Sequence, residues 1–504
     1  MATSVLDYLE ATADQFQNKT AFISPKEQVT FLELMDNAKR IGSFIAKNTT
    51  PKKPVVVYMD KGVSCINAYL GAVYAGCFYV PIDSKMPVER VTLILTTLKP
   101  TVIIYDESTV STCEQLDVNC SKICYIKTLE NEADKSLLEK IRKQIKSTDL
   151  LYVLFTSGST GLPKGVTISH LAVIDFVEWI CNKFNFTENN SMCNQAPFYF
   201  DASVPDLYIP LKTGATTYIP PKMYYTFPKM ILAYIEKNNI NTLIWVPSAL
   251  CNVVNCNALS LCSPESVKLV IFCGEVMPCK HLNVLKNHLK NATFVNMYGP
   301  TEATYACMYY VVDRKFKDDE VLPMGSACEN TEILLLDSEE KPVSAVGEKG
   351  EICILGQCLS NGYYALPQKT KEAFIQNPVN SYFNEMMYKT GDLAYYDDNG
   401  NLIFAGRKDH QIKRLGHRIE LGEIENSILS AEGVENACCI FDEKKNEIIA
   451  VYTGNVAESF IKNELNLKLP AYMLPNLIKN IQSMPMNING KIDRIALRKE
   501  FTGK

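Results

Sequence analysis

The side chains best suited to chemistry lie in a glycine- and hydroxyl-rich segment, residues 154–166. It carries four hydroxyl side chains, three glycines and Lys164, and it follows a predicted strand. Glycine lets a backbone approach a ligand closely, hydroxyl groups donate hydrogen bonds to phosphate oxygens, and a lysine adds positive charge. Because no Gly-Lys-Ser/Thr sequence is present, Walker A kinase or GTPase chemistry is disfavoured. The segment predicts a phosphate-binding loop, with a plain surface loop as the alternative.

Four further segments carry charged and hydroxyl side chains that could join this loop. Residues 296–302 read NMYGPTE, residues 388–392 read YKTGD, residues 406–413 read GRKDHQIK, and residues 489–493 read NGKID. Ligands of open α/β sheets bind at the carboxyl ends of the strands. The segments that follow predicted strands are therefore expected near one site.

In this order and across the whole chain, the five segments resemble the motifs of the adenylate-forming superfamily. That superfamily includes acyl-CoA ligases, firefly-type luciferases and the adenylation domains of peptide synthetases. The resemblance is closest to amino-acid adenylation domains, and among them to the stand-alone D-alanine–carrier protein ligases. Residues 272–276 (FCGEV) are similar to the motif of those ligases, and the length of the chain is similar too.

The resemblance implies ATP and Mg²⁺ as cofactors and assigns a role to each matching residue. The phosphates would lie on the glycine-rich loop, adenine on Tyr298, and the ribose hydroxyls on Asp392. Since a carboxylate and ATP are both anionic, catalysis would consist of positioning them and neutralising charge. The residues that would hold ATP are Thr156, Ser157, Gly158, Ser159, Thr160, Lys164, Tyr298, Asp392 and Arg407. The catalytic residues would be Thr301, Glu302, Arg418 and Lys491, with Glu302 also the metal ligand.

The substrate pocket is predicted to open at Asp201, an acid among aromatic and small residues. Burying a carboxylate costs several kcal/mol unless it is paired. A substrate ammonium is a natural partner, which favours an amino acid over a fatty or aryl acid; a helix cap is the alternative. Motif alignment places these residues around the side chain of the substrate: Ala202, Pro205, Trp245, Ile271, Cys273, Met297, Tyr305 and Ala306.

The predicted pocket residues favour a small or uncharged substrate. Trp245, Met297 and Tyr305 are bulky, and the set contains no charged residue that could pair with a charged substrate side chain. Cys273 matches the D-alanine ligases, whereas Pro205 and Tyr305 depart from them. D-alanine is the first expectation, and glycine, serine, L-alanine and β-alanine stay open.

Composition sets the broad class of the protein. The chain has 504 residues, a net charge of −5 and 47% hydrophobic residues, which is typical of a globular protein of two or more domains. The mild acidity argues against a nucleic-acid or polybasic membrane binder. The first residues lack a secretory signal pattern and the 18 cysteines include no C-x-x-C pair, so reduced core cysteines and a cytoplasmic location are expected.

One apolar stretch, residues 65–82, imitates a membrane span. It is interrupted by Asn67, Gly71, Gly76 and Pro81, whereas spanning a bilayer needs ~20 apolar residues. A buried helix to about Ala75, followed by a buried strand over 77–80, is the better interpretation.

Alternating strand and helix patterns predict an α/β fold. We expect a large N-terminal domain, residues 1–408, with α/β layered subdomains, a β-rich barrel-like subdomain, and both the ATP and amino-acid sites. A small mobile α+β C-terminal domain, residues 409–504, would carry the catalytic lysine, with Asp409 as the hinge. The pattern predicts strands over 150–155, 242–246, 269–272, 293–297, 332–336, 350–355 and 401–405, and a hairpin over 411–421 that leads into a helix from Glu423.

The acceptor in the second step is expected to be a separate protein. No carrier domain and no Gly-Gly-x-Ser attachment site follows Lys491, so the resemblance implies the phosphopantetheine thiol of a separate carrier protein. The hairpin around Gly416 would line the path of that arm. The alternatives are an acyl- or aryl-CoA ligase and a nucleotide-binding regulatory module without turnover; Lys491, Glu302 and Asp392 argue against the latter.

Overall fold

The computed structural model describes residues 2–158, 162–409, 411–486 and 492–503. Two largely parallel sheets form its main part. The first sheet runs in the order β15 (Ser326–Ala327), β14 (Met308–Val311), β13 (Thr293–Tyr298), β12 (Leu269–Cys273), β11 (Thr242–Trp245), β9 (Ser191–Asn194), β10 (Thr216–Tyr218), β1 (Thr20–Ile23) and β2 (Gln28–Thr30). The second runs in the order β6 (Ser121–Cys124), β5 (Val102–Tyr105), β3 (Pro54–Met59), β4 (Phe78–Asp83), β7 (Leu150–Thr156) and β8 (Lys164–Ser169).

Helices cover these sheets and fill the space between them. They are α1 (Val5–Gln15), α2 (Phe31–Asn48), α3 (Val63–Tyr74), α4 (Val88–Leu98), α5 (Val110–Gln115), α6 (Tyr125–Thr128), α7 (Lys135–Arg142), α8 (His170–Lys183), α9 (Val204–Thr213), α10 (Lys222–Thr226), α11 (Pro228–Lys237), α12 (Pro247–Asn255) and α13 (Cys279–His288). One buried apolar cluster joins α1, α2, α3, α8 and α9 to the facing sides of both sheets.

The apolar stretch at 65–82 lies in this interior. It forms most of α3 and β4, and its helical part is apolar on every side because α3 is buried on every side. Among the described residues, no helix is long and apolar enough to cross a membrane. The eighteen cysteines are all free, and most are buried.

A third, antiparallel sheet is the β-rich region that the sequence predicts. It contains β16 (Thr331–Leu336), β17 (Gly350–Gly356), β18 (Phe374–Gln376), β19 (Met386–Tyr396) and β20 (Leu402–Arg407), with α14 (Pro367–Ala373) beside it. The mixed architecture confirms the α/β fold class.

The C-terminal region, residues 411–503, has apolar cores of its own. The predicted hairpin is present as β21 (Gln411–Arg414) and β22 (His417–Glu420), and the helix after it, α15 (Leu421–Leu429), begins two residues before Glu423. A small sheet of β23 (Val434–Asp442), β24 (Glu447–Gly454) and β25 (Leu477–Asn480) packs with α16 (Glu458–Lys468) and α17 (Arg494–Thr502). The domain division at residues 408 and 409 stays a prediction.

Candidate active site

Glu302 is the centre of a buried charged cluster. It lies in a 3₁₀ turn, Thr301–Ala303, directly after β13, and its side chain is fully buried. The Tyr363 hydroxyl donates to Oε1 at 2.7 Å, Arg418 donates to Oε2 at 2.7 Å, and the Lys164 ammonium lies 3.5 Å from Oε1. Although burial disfavours the charged form, Arg418 and Lys164 hold the pKa of Glu302 well below its usual range. The Glu302 side chain therefore stays ionised, next to the cations Arg418 and Lys164.

Asp392 forms a second polar cluster close to this one. It lies on β19, where the Tyr298 hydroxyl donates to Oδ2 at 2.6 Å and the Arg407 guanidinium donates to Oδ1 at 2.5 Å. The same guanidinium donates to Asp409 at 2.7 and 2.8 Å. The predicted adenine, ribose and hinge residues are thus joined by direct hydrogen bonds.

The C-terminal hairpin contacts the described part of the glycine-rich loop. The Ser157 hydroxyl donates to the Arg418 carbonyl at 2.9 Å and accepts from the Glu420 amide at 3.2 Å. The Gly158 amide donates to the Glu423 carboxylate at 3.2 Å. Thr156 ends β7 and Lys164 begins β8, so the loop joins two paired strands and its second end, Lys164, lies beside Glu302. Ser159, Thr160 and Lys491 lie outside the described residues.

Asp201 lies at the start of the 3₁₀ turn that precedes α9, directly before the predicted pocket residue Ala202. Burial raises the pKa of its carboxyl, while Thr301 and Lys413 act in the opposite direction. One buried cluster contains most of the predicted pocket residues: Ile271, Cys273, Met297, Tyr305 and Ala306, with Ala202 packed against it. Pro205 is buried in the first turn of α9, three residues after Ala202. Cys273 pairs with Met297 between β12 and β13, and the Cys273 thiol lies 3.8 Å from the Tyr305 carbonyl oxygen. That all of these residues surround one substrate stays a prediction.

The placement of Trp245 in this pocket is wrong. In the register between β11 and β12, Ile244 pairs with Ile271 and Trp245 pairs with Phe272, so Trp245 points to the other face of the sheet. There its indole donates to the Cys193 carbonyl at 2.8 Å. Ile244 instead shares the face of the sheet on which Ile271 lies.

The turn at Thr304 and Tyr305 has a strained backbone. Thr304 and Tyr305 both have positive φ angles, 52° and 76°, a region that β-branched and aromatic residues rarely adopt. The Thr304 hydroxyl fixes the turn by donating to the Cys358 carbonyl at 2.7 Å. A Cβ on Gly299 would lie 2.5 Å from the Tyr305 carbonyl oxygen, so only glycine allows this approach.

Lys413 is the last residue of segment 406–413, and the sequence analysis assigns it no role. On β21 its ammonium lies 5.3 Å from the centre of the Tyr298 ring, a cation–π distance. Its positive charge also opposes the rise that burial causes in the pKa of Asp201. A cleft of about 2300 Å³ lies here, and Tyr298, Asp392, Lys413 and His417 line it.

The site and fold define an adenylate-forming enzyme. The chain belongs to the AMP-binding enzyme family, whose profile matches residues 9–364, and enzymes of this family use ATP.

Individual relatives match the whole chain. The D-alanine--D-alanyl carrier protein ligase of Listeria monocytogenes serotype 4b (strain F2365) is 34% identical over 519 residues, covering 99% of each chain. The protein of that name from Bacillus licheniformis is 33% identical over 512 residues, again covering 99% of each. Among solved structures, the Vibrio cholerae adenylation domain AlmE in complex with glycyl-adenosine-5'-phosphate shares the fold with a TM-score of 0.86 at 20% identity, covering 100% of this chain and 98% of that one.

Proposed function

We propose that this protein activates a small amino acid, D-alanine in the first place, and transfers it to the phosphopantetheine thiol of a separate carrier protein. The observation that carries the proposal is Asp201, a carboxylate that is largely removed from water next to Thr301. Removal from water penalises its charge, and a substrate ammonium would restore the balance. The names of the full-length relatives support D-alanine and a carrier.

The first step would join the amino acid to AMP. A carboxylate oxygen of the substrate attacks the α-phosphorus of ATP, and the bond from that phosphorus to pyrophosphate breaks. We propose that Thr301 and Lys491 contact the reacting phosphate and carboxylate, while Tyr298, Asp392 and Arg407 hold the nucleoside. The outgoing phosphates would lie against residues 156–164, where backbone amides and Lys164 favour negative charge.

Glu302 fits the role of a Mg²⁺ ligand in this step. A buried, permanently ionised carboxylate next to a phosphate loop is the donor that Mg²⁺ uses together with substrate phosphates. Bound there, Mg²⁺ would neutralise phosphate charge during the attack. Arg418 occupies Glu302 in the orientation described here, so it must withdraw to free the carboxylate for a metal ion.

The second step would move the amino acid to a thiol. The thiol loses its proton to solvent, its sulfur attacks the acyl carbon, and the bond from that carbon to AMP breaks, with AMP leaving. We propose that the arm reaches the adenylate along the cleft beside Gly416. The division into residues 1–408 and 409–504, with Asp409 as hinge, would let Lys491 serve the first step and the hairpin the second.

Product analysis tests the proposal. The protein is incubated with ATP, Mg²⁺, D-alanine and a phosphopantetheinylated carrier, and intact mass spectrometry follows the carrier. We expect alanyl-adenylate and then one alanyl group on the carrier, removable by hydroxylamine as a thioester is. Adenylate formed from fatty or aryl acids but not from amino acids would support the CoA-ligase alternative and overturn the proposal.

A further inference from the structure

A buried pair of polar side chains ties α9 to the first sheet. Asp206 lies in the first turn of α9 and Asn194 ends β9, and both side chains are fully buried. The Asn194 amide donates from Nδ2 to Asp206 Oδ2 at 2.6 Å. In the sheet Asn194 pairs with Ile244, which in turn pairs with Ile271. The Asn194–Asp206 pair therefore lies on the same face of the sheet as the predicted pocket residue Ile271.

One oxygen on each side of this pair lacks a hydrogen-bond partner among the described residues. These atoms are Asn194 Oδ1 and Asp206 Oδ1, and while Asp206 is ionised both can only accept. Leaving buried acceptors unpaired is costly. A proton on the carboxyl removes the conflict, because an acid and an amide can exchange two hydrogen bonds, one in each direction. Burial, against the opposing effects of Asn194 and Lys61, raises the pKa of Asp206 to about 7, which agrees with a protonated carboxyl.

The start of α9 also sets the position of Asp201. Asp201 opens the 3₁₀ turn that runs directly into α9, and Asp206 follows in the first turn of that helix. The Asp206 carbonyl accepts from the Thr217 hydroxyl of β10 at 2.9 Å. The side chain and the backbone of Asp206 thus fix the start of the helix to two neighbouring strands, β9 and β10. A shift of this helix start would move the carboxylate that the proposed function gives to the substrate ammonium.

We propose that Asp206 is a positioning residue that holds a proton and pairs with Asn194 as acid with amide, and that loss of this proton weakens amino-acid binding by displacing Asp201. When Asp206 ionises, the proton goes to solvent and an uncompensated carboxylate stays in the interior, where both Oδ1 atoms are again acceptors. The enzyme should therefore bind its amino acid more weakly as the pH rises. This inference rests on the proposed function for the role of Asp201.

Titratable side chains of the surrounding elements interact with Asp206. Burial raises the pKa of Cys193 on β9 to about 12 and that of Tyr225 on α10 and of Tyr305 well above its usual range, so these three stay neutral near pH 7. Removal from water lowers the pKa of Lys61, which follows β3, to about 8. Because the Lys61 charge favours the ionised form of Asp206, Lys61→Gln should keep the pH-dependent weakening and move it to higher pH. Loss of the weakening in Lys61→Gln would overturn the proposal.

Infrared difference spectroscopy tests the proton on Asp206 without any substrate. The spectrum of Asp206→Asn is subtracted from that of the wild type over the range from pH 5.5 to pH 9. We expect a protonated-carboxyl band at pH 5.5 that is lost by pH 9. Absence of this band at pH 5.5 would overturn the proposal, because water or a cation would then have to serve the two Oδ1 atoms.

Pyrophosphate exchange at two pH values tests the effect on the substrate. For the wild type, the KM for the best amino acid should rise at least threefold from pH 6.5 to pH 8.5, with little change in the KM for ATP. Asp206→Asn should keep a low KM for the amino acid at both pH values, because asparagine preserves the pair with Asn194 and does not titrate. Asp206→Ala should have a raised KM at both. A flat wild-type profile, or the same rise in Asp206→Asn, would contradict the proposal.

A matched control is a second aspartate–asparagine pair, on α8. There Asp175 is partly exposed and accepts a hydrogen bond from the Asn330 amide at 2.8 Å, and burial raises its pKa as well. Asp175 is not among the predicted pocket residues, so Asp175→Asn should keep the wild-type rise in KM. If no amino acid supports exchange in the wild type, the proposed function fails, whereas the infrared measurement still decides whether Asp206 holds a proton.

Discussion

The Arg418 guanidinium donates to the Glu302 carboxylate at 2.7 Å, across the junction between the C-terminal hairpin and the nucleotide loop. Lys164 approaches the same carboxylate at 3.5 Å. Two cations on one carboxylate leave a surplus of one positive charge at this point. That surplus would suit an anionic phosphate group of a bound nucleotide.

Lys491→Ala should separate the two half-reactions. We predict that it abolishes adenylate formation and leaves transfer from preformed adenylate largely intact, because a lysine of the C-terminal region can serve only one domain orientation. Pyrophosphate exchange and single-turnover transfer measure the two steps separately. Equal losses in both would contradict the assignment.

Asp201→Ala should weaken amino-acid binding with little change in the KM for ATP. An ammonium left buried without its counter-charge costs ~3–5 kcal/mol, which corresponds to a loss of at least roughly a hundredfold in kcat/KM. Steady-state exchange with the best amino acid is the measurement. A loss below about threefold in a folded variant would mean that Asp201 has only a structural role.

Tyr305→Val should shift the substrate preference toward larger side chains, because the buried Tyr305 ring would fill volume that a larger side chain needs in the proposed pocket. The wild type should reject leucine and phenylalanine, since overpacking a filled interior costs ~1–3 kcal/mol. Trp245→Phe is the matched control on the opposite face of the sheet and should change stability without changing selectivity. A selectivity change in Trp245→Phe alone would contradict the face assignment.

Asp206→Asn should stabilise the protein more at pH 8 than at pH 5. Burial raises the pKa of Asp206 to about 7, against weaker opposing effects of Asn194 and Lys61. A carboxyl with a raised pKa destabilises the folded state increasingly as pH rises from its unfolded pKa to its folded pKa, by about 1.4 kcal/mol per unit. Asparagine keeps the hydrogen bond from Asn194 and adds a donor where, among the described residues, the Oδ1 atoms of both side chains lack a partner. Melting temperatures at the two pH values check this; a smaller gain at pH 8 would contradict it.

The sequence predicts the strands at 242–246, 269–272 and 293–297 to within two residues at each end. Runs of β-branched and apolar residues that end at a proline, a glycine or a turn mark such strands clearly. It does not predict which way Trp245 points. A parallel sheet buried on both faces is apolar at every position, so the alternation that would reveal the face is missing.

Other features depend on contacts between distant segments. In the sequence, nothing distinguishes Glu423 from other helix residues. Its contacts with Arg90 and Gly158 arise only from the placement of the C-terminal region. The positive φ angles of Thr304 and Tyr305 are imposed by the hydrogen bond to Cys358 and by the packing against Gly299. No local propensity indicates either feature.

Amino-acid-dependent pyrophosphate exchange tests the central claim most directly, with D-alanine compared against propionate, which has the same carbon skeleton but no ammonium. The account predicts that kcat/KM for D-alanine exceeds that for propionate at least roughly a hundredfold, and that D-alanine also exceeds leucine and phenylalanine. Equal or faster exchange with propionate, or leucine or phenylalanine as the best substrate, would contradict it.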